Sequence, residues 1–280
     1  MRIIRKILLI VGLALLFYPV IASLIQGNTQ QSVISTYESQ TEKTKDTAKT
    51  KTLQEAEAYN SLLYQTQSAG ISLNSQELLS RQSYQSLLNL TGTGMMGSIT
   101  IPKINAELPI YHGTGDDVLA DAIGHVEYTS LPVGGENTHA VLSGHRGLPN
   151  AKLFTRLDEL ETGDIFLITL CGEKLAYKVK DINTILPEDV DCLQIEPGCD
   201  LVSLVTCTPY GLNTHRLVVT GERIDYTEAK TIEASTEVSY SWREIVFTAL
   251  PFVFVIIIVT ETLWRYLKKK KGAKKHAEKI

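Results

Sequence analysis

The sequence predicts a mainly β protein, with one β-barrel domain lying between two membrane-spanning helices. Residues 97–224 contain short segments rich in β-branched residues, separated by clusters of Gly, Pro, Asn and Asp. A polar stretch at residues 26–70 precedes this region, and an apolar run lies near each end of the chain. With 280 residues and 44% hydrophobic content, the chain is long enough for one core of good size.

The first apolar run covers residues 7–25, a stretch of 19 residues that follows the basic residues Arg2, Arg5 and Lys6. This length is sufficient to cross the hydrocarbon part of a bilayer. A cleaved signal peptide is the alternative interpretation, but the run is long for one and the tripeptide at 21–23 is a poor cleavage site. We therefore favour an uncleaved span at 7–25, with residues 1–6 in the cytoplasm.

The second apolar run covers residues 245–259 and continues to Trp264, which is followed by Arg265 and four lysines at 268–271. An aromatic residue followed by basic residues is typical of a membrane exit. We expect a transmembrane helix at 244–264 and a basic cytoplasmic tail at 265–280. Because basic residues lie outside both runs, the positive-inside rule predicts that both termini are cytoplasmic and that residues 26–243 are exported.

Within the exported part, apolar residues first recur at helical spacing and then at strand spacing. Leu53, Ala56 and Leu63, followed by Leu78, Tyr84 and Leu87, indicate one or two helices in a stalk at residues 26–92. A mainly antiparallel β-barrel is predicted at 93–226, and 227–243 is interpreted as a linker. The predicted strands include 140–143, 164–170, 174–185, 201–207 and 216–223, with a tight hairpin at 171–173.

Charge and cysteine content exclude some classes of function. A net charge of −4 gives no basic footprint for a nucleic-acid partner. Four cysteines in an exported domain could form two disulfides, but three remain if Cys207 must stay a free thiol. A pair between Cys192 and Cys199 is possible, without further support. The cysteines and histidines show no spacing typical of zinc ligands, so we expect neither a metal nor a cofactor.

Three residues are candidates for covalent chemistry, because each stands at the end of a predicted strand. Cys207 ends a strand that is apolar on both faces, His145 follows the strand at 140–143, and Arg216 begins the next strand 9 residues after Cys207. A thiol, an imidazole and a permanently charged guanidinium can supply the nucleophile, the proton donor and the oxyanion stabiliser of acyl transfer.

These residues lie in motifs that resemble the sortase family. The motifs are LVTC at 204–207, LSGHRG at 142–147 and NTHRL at 213–217, in the expected order. The likeness extends from about residue 96 to 223 and includes IPKI at 101–104, LPIYHGT at 108–114 and TSLPVGG at 129–135. The resemblance implies a closed sortase-type β-barrel with Cys207, His145 and Arg216 as its catalytic residues.

The second apolar run and its basic tail make the chain similar to class C, the sortases that build pili. That resemblance implies a donor protein, either a pilin or another surface protein, with an LPxTG-like sorting signal cleaved after Thr. It also implies a pilin lysine as acceptor and a setting on the Gram-positive surface. Three residues are expected to contact substrate: Ser143, Thr206 and Thr208. Class C enzymes usually carry a lid with an Asp-Pro-aromatic tripeptide, which this sequence lacks; Glu77, within 70–79, is the candidate lid residue.

Several alternatives remain open from the residues. The chain could be a housekeeping-type sortase that attaches surface proteins to the cell wall, a noncatalytic surface binding module, or a hydrolytic cysteine protease. A metal hydrolase using His139, His145 and Cys207 is a further alternative. Arg146 and Arg223 are eligible in place of Arg216 by composition alone. The remaining histidines of the domain are interpreted as structural or cleft-lining: His112, His125, His139 and His215.

Overall fold

The structure is a computed structural model that describes residues 2–68, 84–148 and 151–277. Two compact units are distinguished within the chain. One contains residues 22–239, and the other combines the residues up to 21 with those from 240 onward. The first unit holds the barrel, and the second consists of apolar helical segments.

The described residues form five α-helices and eight strands. The helices are α1 (Arg2–Lys43), α2 (Asp46–Ser68), α3 (Asp116–Leu119), α4 (Tyr226–Ser235) and α5 (Trp242–Ala277). The strands are β1 (Met95–Ile101), β2 (Ala106–His112), β3 (Ile123–His125), β4 (Thr138–Ser143), β5 (Ile165–Leu170), β6 (Glu173–Ile185), β7 (Asp200–Thr208) and β8 (His215–Ile224). Short 3-10 helices occupy Tyr84–Ser86, Pro102–Ile104, Leu157–Glu159 and Asp191–Leu193.

The eight strands form a closed barrel in the order β1-β2-β3-β4-β7-β8-β6-β5, and β5 pairs with β1 to complete it. Six of the eight neighbouring pairs are antiparallel, whereas β2–β3 and β4–β7 are parallel. Closure leaves no free sheet edge. The predicted fold class, a closed and mainly antiparallel barrel with short helices, is confirmed.

The strands follow the alternation of the sequence. In β7, Val202 and Leu204 contribute to the core inside the barrel, while the residues between them point to the opposite face. The β5–β6 hairpin turns through Cys171 and Gly172, both with positive φ (51° and 86°), and Leu170 pairs with Glu173. Positive φ at both central residues is the geometry that suits right-handed strand twist.

Helices α1 and α2, which contain much of the polar region predicted to be a stalk, pack on the barrel. In α1, Ile34 and Tyr37 are buried against Met95, and the Tyr37 hydroxyl donates to the carbonyl oxygen of Met96 at 2.9 Å. In α2, the side-chain amide of Asn60 bonds both the N–H and the C=O of Leu131, at 2.7 and 3.0 Å. Most of the Gln, Thr and Lys residues of these helices are exposed, although Gln30 and Thr41 are buried, and this polar composition suggested a stalk.

The segment interpreted as a linker also packs on the barrel. Asp225 caps α4 by accepting a hydrogen bond from Thr227 N at 2.7 Å, and Ala229 is buried against a small cluster on β5 and β6. At residue 239, the backbone N–H of Ser239 donates to Lys103 O at 2.8 Å, and its hydroxyl donates to Glu159 at 3.0 Å. Residues 227–239 therefore belong to the barrel unit.

Two helical segments are long and apolar enough to cross a bilayer, and most of the residues of their apolar runs lie in the second unit. Their candidate spans lie within Ile7–Lys43 and Trp242–Lys268, with mean hydropathies of 2.6 and 2.3. Inside this unit, the rings of Phe17 and Phe252 meet edge to face at 5.3 Å. Only 0% and 6% of the most apolar stretches of these two helices are buried by protein. Their apolar composition therefore suits contact with lipid. Helix α5 continues past the expected end at 264 into the basic tail, since lysine is a good helix former.

Candidate active site

Cys207 and Arg216 are direct partners in the antiparallel ladder of β7 and β8. The six residues 209–214 connect the two strands, and they bring Arg216 back beside Cys207. Opposed residues in such a ladder have Cα atoms about 4.5 to 5.5 Å apart. Both side chains are partly exposed, so a thiol and a guanidinium share an accessible place at the barrel rim.

His145 reaches the same rim from the other side of β7. Strand β4 runs parallel to β7, with Ser143 opposite Val205, and Gly144 N donates to Val205 O at 3.1 Å one residue later. This register places His145 at the level of Cys207 on the neighbouring strand. The backbone carbonyl of His145 accepts from Phe154 N at 3.1 Å, which fixes the chain where the ladder has ended.

Side-chain alternation assigns the three candidates to one face of the sheet. On that face, further from the rim, His139 Nε2 lies 2.8 Å from Ser203 Oγ, which lies 2.8 Å from Thr220 Oγ1. Counting in steps of two leads from Ser203 to Cys207 along β7 and from Thr220 to Arg216 along β8. The same count from His139 along β4 reaches His145 two residues past the end of the strand. His145, Cys207 and Arg216 therefore extend the buried row of His139, Ser203 and Thr220 towards solvent.

The eligible arginines differ in their surroundings. Arg223 lies at the far end of β8, with its guanidinium 5.5 Å from the centre of the Tyr177 ring and 4.0 Å from Asp200. Arg146 is buried and forms an ion pair with Asp158. Arg216 Nη1 donates to the carbonyl oxygens of Asn213 and His215, at 3.2 and 3.1 Å, which holds its guanidinium against the loop after Cys207.

Three other histidines are structural. The Nε2 of His125 contacts the carbonyl oxygen of Ser130 at 2.9 Å and Nδ1 contacts the Tyr84 hydroxyl at 2.7 Å, while burial lowers the pKa of His125 to about 4. Burial also lowers the pKa values of His112 and His139. Neutral buried rings with both nitrogens engaged are poor candidates for proton transfer with a substrate.

The metal alternative is disfavoured by the same contacts. His139 uses Nδ1 to contact Gln194 O at 2.7 Å and Nε2 to contact Ser203, so neither nitrogen faces His145 or Cys207 as a ligand. Within residues 2–68, 84–148 and 151–277, no group of three or more His, Cys, Asp or Glu side chains is placed to hold a metal ion. All four cysteines are free thiols, including Cys192 and Cys199.

The predicted substrate contacts fall close to the site with different exposures. Ser143 and Thr208 are partly exposed, whereas Thr206 is 2% exposed and its hydroxyl donates to the carbonyl oxygen of Gly144 at 2.7 Å. Thr208 Oγ1 accepts from Arg146 Nη1 at 3.2 Å. Glu77, the candidate lid residue, lies outside the described residues.

Sequence reasoning missed the contacts that Arg146 and Asp158 make. By composition alone Arg146 is eligible only as a substitute for Arg216, and no motif points to Asp158. The adjacency of Arg146 to His145 was a signal in the sequence, but its partners lie 12 and 62 residues further along the chain. The pairing of β4 with β7 has to be known before these contacts can be recognised.

Comparison with known proteins supports a family assignment. The sortase domain model matches residues 99–224. Sortase D of Bacillus subtilis is 34% identical over 131 residues, which are 46% of this chain and 63% of that protein. The chain thus spans less than two thirds of the length of this curated relative.

Solved structures give more complete coverage. Sortase C1 of Streptococcus agalactiae is 44% identical with a TM-score of 0.64, covering 69% of this chain and 98% of that one. Sortase C of Streptococcus pneumoniae is 36% identical with a TM-score of 0.60, covering 70% and 97%. The barrel, the matched domain and this identity over almost all of a solved relative show that the chain belongs to the sortase family, with class C sortases as its structural neighbours.

Proposed function

We propose that this chain is a membrane-anchored cysteine transpeptidase that joins surface proteins, and specifically pilin subunits, at the outer face of a Gram-positive cell membrane. The observation that carries the proposal is the shared rung of Cys207 and Arg216, with His145 at the same level on the neighbouring strand. Membership of the sortase family and class C structural neighbours support it further.

The first half-reaction forms a thioester. Cys207 Sγ attacks the carbonyl carbon of the threonine in an LPxTG-like sorting signal while the thiol proton passes to His145, and negative charge develops on the carbonyl oxygen. The guanidinium of Arg216 donates hydrogen bonds to that oxygen. When the Thr–Gly bond breaks, His145 gives a proton to the leaving glycine amine.

The second half-reaction transfers the acyl group to an amine. Neutral His145 accepts a proton as the lysine Nζ of the acceptor pilin attacks the thioester carbonyl. The C–S bond then breaks, which regenerates Cys207 and leaves an isopeptide bond between the subunits. Because a lysine amine has an ordinary pKa of about 10.4, the acceptor has to be positioned and deprotonated locally.

The proposed topology has both termini in the cytoplasm and the barrel outside. Two apolar helical segments of sufficient length support this arrangement. Basic residues precede the first apolar run and follow the second, on the side proposed to be cytoplasmic. Ser143 and Thr208 are proposed to contact the sorting signal, since both are partly exposed beside the site. Thr206 is proposed to act on the site through Gly144, because its own side chain is buried.

Intact-mass spectrometry of the full chain in detergent tests the chemistry. The protein is incubated with an LPxTG peptide, with and without a lysine-bearing acceptor peptide. We expect an acyl adduct on Cys207 that disappears on addition of the amine, with formation of the joined peptide. Cys207→Ala abolishes both, whereas Cys199→Ala, which removes another partly buried thiol, leaves both intact.

The alternatives correspond to other outcomes of this experiment. Water as the preferred acceptor, with the amine ignored, identifies a hydrolytic protease. A preference for a cell-wall peptide amine over the pilin lysine identifies a housekeeping-type enzyme. Absence of any adduct on the wild-type chain contradicts the proposal and supports a noncatalytic binding module.

A further inference from the structure

The His145–Cys207 pair is bracketed by two side-chain hydrogen bonds that link the same two chain segments. One residue before the pair, Thr206 Oγ1 donates to Gly144 O at 2.7 Å. One residue after it, Arg146 Nη1 donates to Thr208 Oγ1 at 3.2 Å. The flanking residues on both sides of the pair are therefore joined across the gap.

These bonds begin where the backbone ladder stops. The paired residues of β4 and β7 end at Ser143 and Val205, followed by one backbone bond from Gly144 N. Beyond that point no backbone bond between the two segments is found among the described residues, so side chains take over the alignment. A site residue placed past the end of its strand needs such support to keep a fixed geometry.

The chemistry of Arg146 suits this task. Its side chain is 4% exposed, its Nη2 pairs with Asp158 and its Nη1 bonds Thr208, so one rigid planar group contacts two elements. Asp158 belongs to the 3-10 helix Leu157–Glu159, which ends the loop that follows His145. The ammonium of a lysine is a compact point charge without the spread donors of this fork.

Tyr210 covers the same group from the exposed side. The centre of its ring lies 5.8 Å from the guanidinium carbon of Arg146. A Cβ at Gly147, which has φ of +83°, would meet that ring at 2.9 Å, so the absence of a side chain allows the close approach. The cation is therefore held between Asp158, Thr208 and an aromatic ring.

Stability alone is a weak reason for a buried arginine here. The Nε–H of Arg146 is buried and has no acceptor among the described protein atoms. A buried donor without a partner costs about 1–3 kcal/mol, and a buried ion pair can often be replaced by apolar residues without loss of stability. The arrangement is better explained by the geometry that it imposes.

We propose that Arg146 is a positioning residue, which sets the distance between His145 and Cys207 by joining Thr208 to Asp158. It acts through the two catalytic candidates and does not itself touch the reacting atoms. This inference rests on the proposed function and deepens it. It predicts that loss of the fork slows acyl transfer without weakening the binding of the sorting peptide.

Steady-state kinetics of the full chain in detergent, with the LPxTG peptide and a lysine acceptor, test the inference. For Arg146→Lys we expect kcat to fall by about 10- to 100-fold, because small misplacements of reacting groups have effects of that size, while KM changes by less than about twofold. Arg223→Lys is the matched control, since Arg223 also contacts a carboxylate and a tyrosine ring, but at the far end of β8. We expect its kcat to match the wild type.

Thr208→Val supplies a second arm that does not depend on tolerance of a buried substitution. This substitution removes the hydroxyl that accepts a hydrogen bond from Arg146, at a partly exposed position, and keeps the shape of the side chain. We expect a smaller fall in kcat in the same direction, and the kcat of the double variant should equal that of Arg146→Lys alone, because both changes break one link. The KM of Thr208→Val is not part of this test, because Thr208 is also proposed to contact the sorting signal. Additive losses, an unchanged kcat in Arg146→Lys, or an equal loss in Arg223→Lys overturns the inference. Activity that survives Cys207→Ala instead refutes the proposed function, so the two failures are distinguishable.

Discussion

Cys207 and Arg216 occupy the same rung of the β7–β8 ladder, so the candidate nucleophile and a permanently charged donor are held by backbone hydrogen bonds on both strands. Arg216 is the second residue of β8, whose other edge pairs with β6, and Ile185 is the partner of Arg216 there. Both neighbours of β8 therefore fix its position. This arrangement makes the identity of the cation, and not merely its charge, the feature to test.

Replacement of Arg216 by lysine should separate charge from hydrogen-bond geometry. Lysine keeps the positive charge but cannot donate two parallel bonds to a carbonyl oxygen. We expect the rate of acyl-adduct formation on Cys207 to fall by about 10²- to 10³-fold, the usual effect of losing an oxyanion donor. Rapid-quench mass spectrometry measures this rate, and a rate within threefold of wild type would assign Arg216 another role.

The buried histidines predict a loss of stability in acid. The pKa of His125 is about 4 in the folded chain, against an ordinary value near 6.5, so between these pH values the unfolded chain binds more protons. The contribution of His125 to the free energy of unfolding is therefore complete above about pH 6.5. As the pH drops to 4, protonation of His125 in the unfolded chain lowers the free energy of unfolding by roughly 3 kcal/mol. The lowered pKa values of His112 and His139 act in the same direction.

Reactivity of Cys171 can report this unfolding. Cys171 is 2% exposed, and burial raises the pKa of its thiol to about 11, so it reacts with a maleimide after the barrel opens. We expect the temperature at which Cys171 becomes labelled to be lower at pH 5 than at pH 7. In His125→Gln this decrease in temperature between pH 7 and pH 5 should be smaller. A decrease as large as that of the wild type would show that His125 does not control the loss of stability.

Asn60 should anchor α2 to the barrel. Its amide bonds both backbone groups of Leu131, so Asn60→Ala leaves a buried N–H and a buried C=O without their partner. We expect a loss of about 2 to 4 kcal/mol, one to two kcal/mol for each group. Limited proteolysis of α2 and Cys171 labelling measure the effect, with Gln54→Ala on the exposed face as the control. Equal proteolysis of the two variants would contradict the anchoring role.

Gly144 should resist any side chain, because a Cβ there would lie 2.6 Å from Ile123 Cδ1 and 2.8 Å from Phe154 Cδ2. Gly144→Ala is therefore expected to cost about 1–3 kcal/mol by overpacking and to displace the adjoining His145. Acyl-adduct formation and Cys171 labelling should both change. Gly27→Ala, in a helix with nothing within 4 Å of the added methyl, should leave both unchanged or slightly raise stability.

Most strands of the barrel could be predicted from the sequence, because local patterns of side chains and turn residues indicate where they begin and end. Glu173–Ile185 and His215–Ile224 were predicted to within one residue at each end, since β-branched residues alternate between clear turn signals. The docking of α1 was not predicted. Ile34, Tyr37 and Thr41 do recur at helical spacing, but the surrounding polar residues obscure that pattern.

In the candidate site, too, the residues next to strands could be predicted from local motifs, whereas the contacts between them could not. Motifs predicted Cys207, His145 and Arg216 as site residues, since each lies next to a recognisable strand. The hydrogen bonds from Thr206 to Gly144 and from Arg146 to Thr208 join residues 62 apart, so they depend on a parallel pairing that local patterns do not reveal. Tertiary pairing, and not propensity, determines these contacts.

The parallel pairing of β4 with β7 also constrains the order in which the chain can fold during synthesis. Strand β4 is complete by residue 143, but its partner begins at residue 200. Until those later residues emerge, one edge of β4 has no ladder and stays available to wrong partners. The segment carrying His145 therefore acquires its final environment only when the last quarter of the barrel arrives, so truncated chains should aggregate before they show any activity.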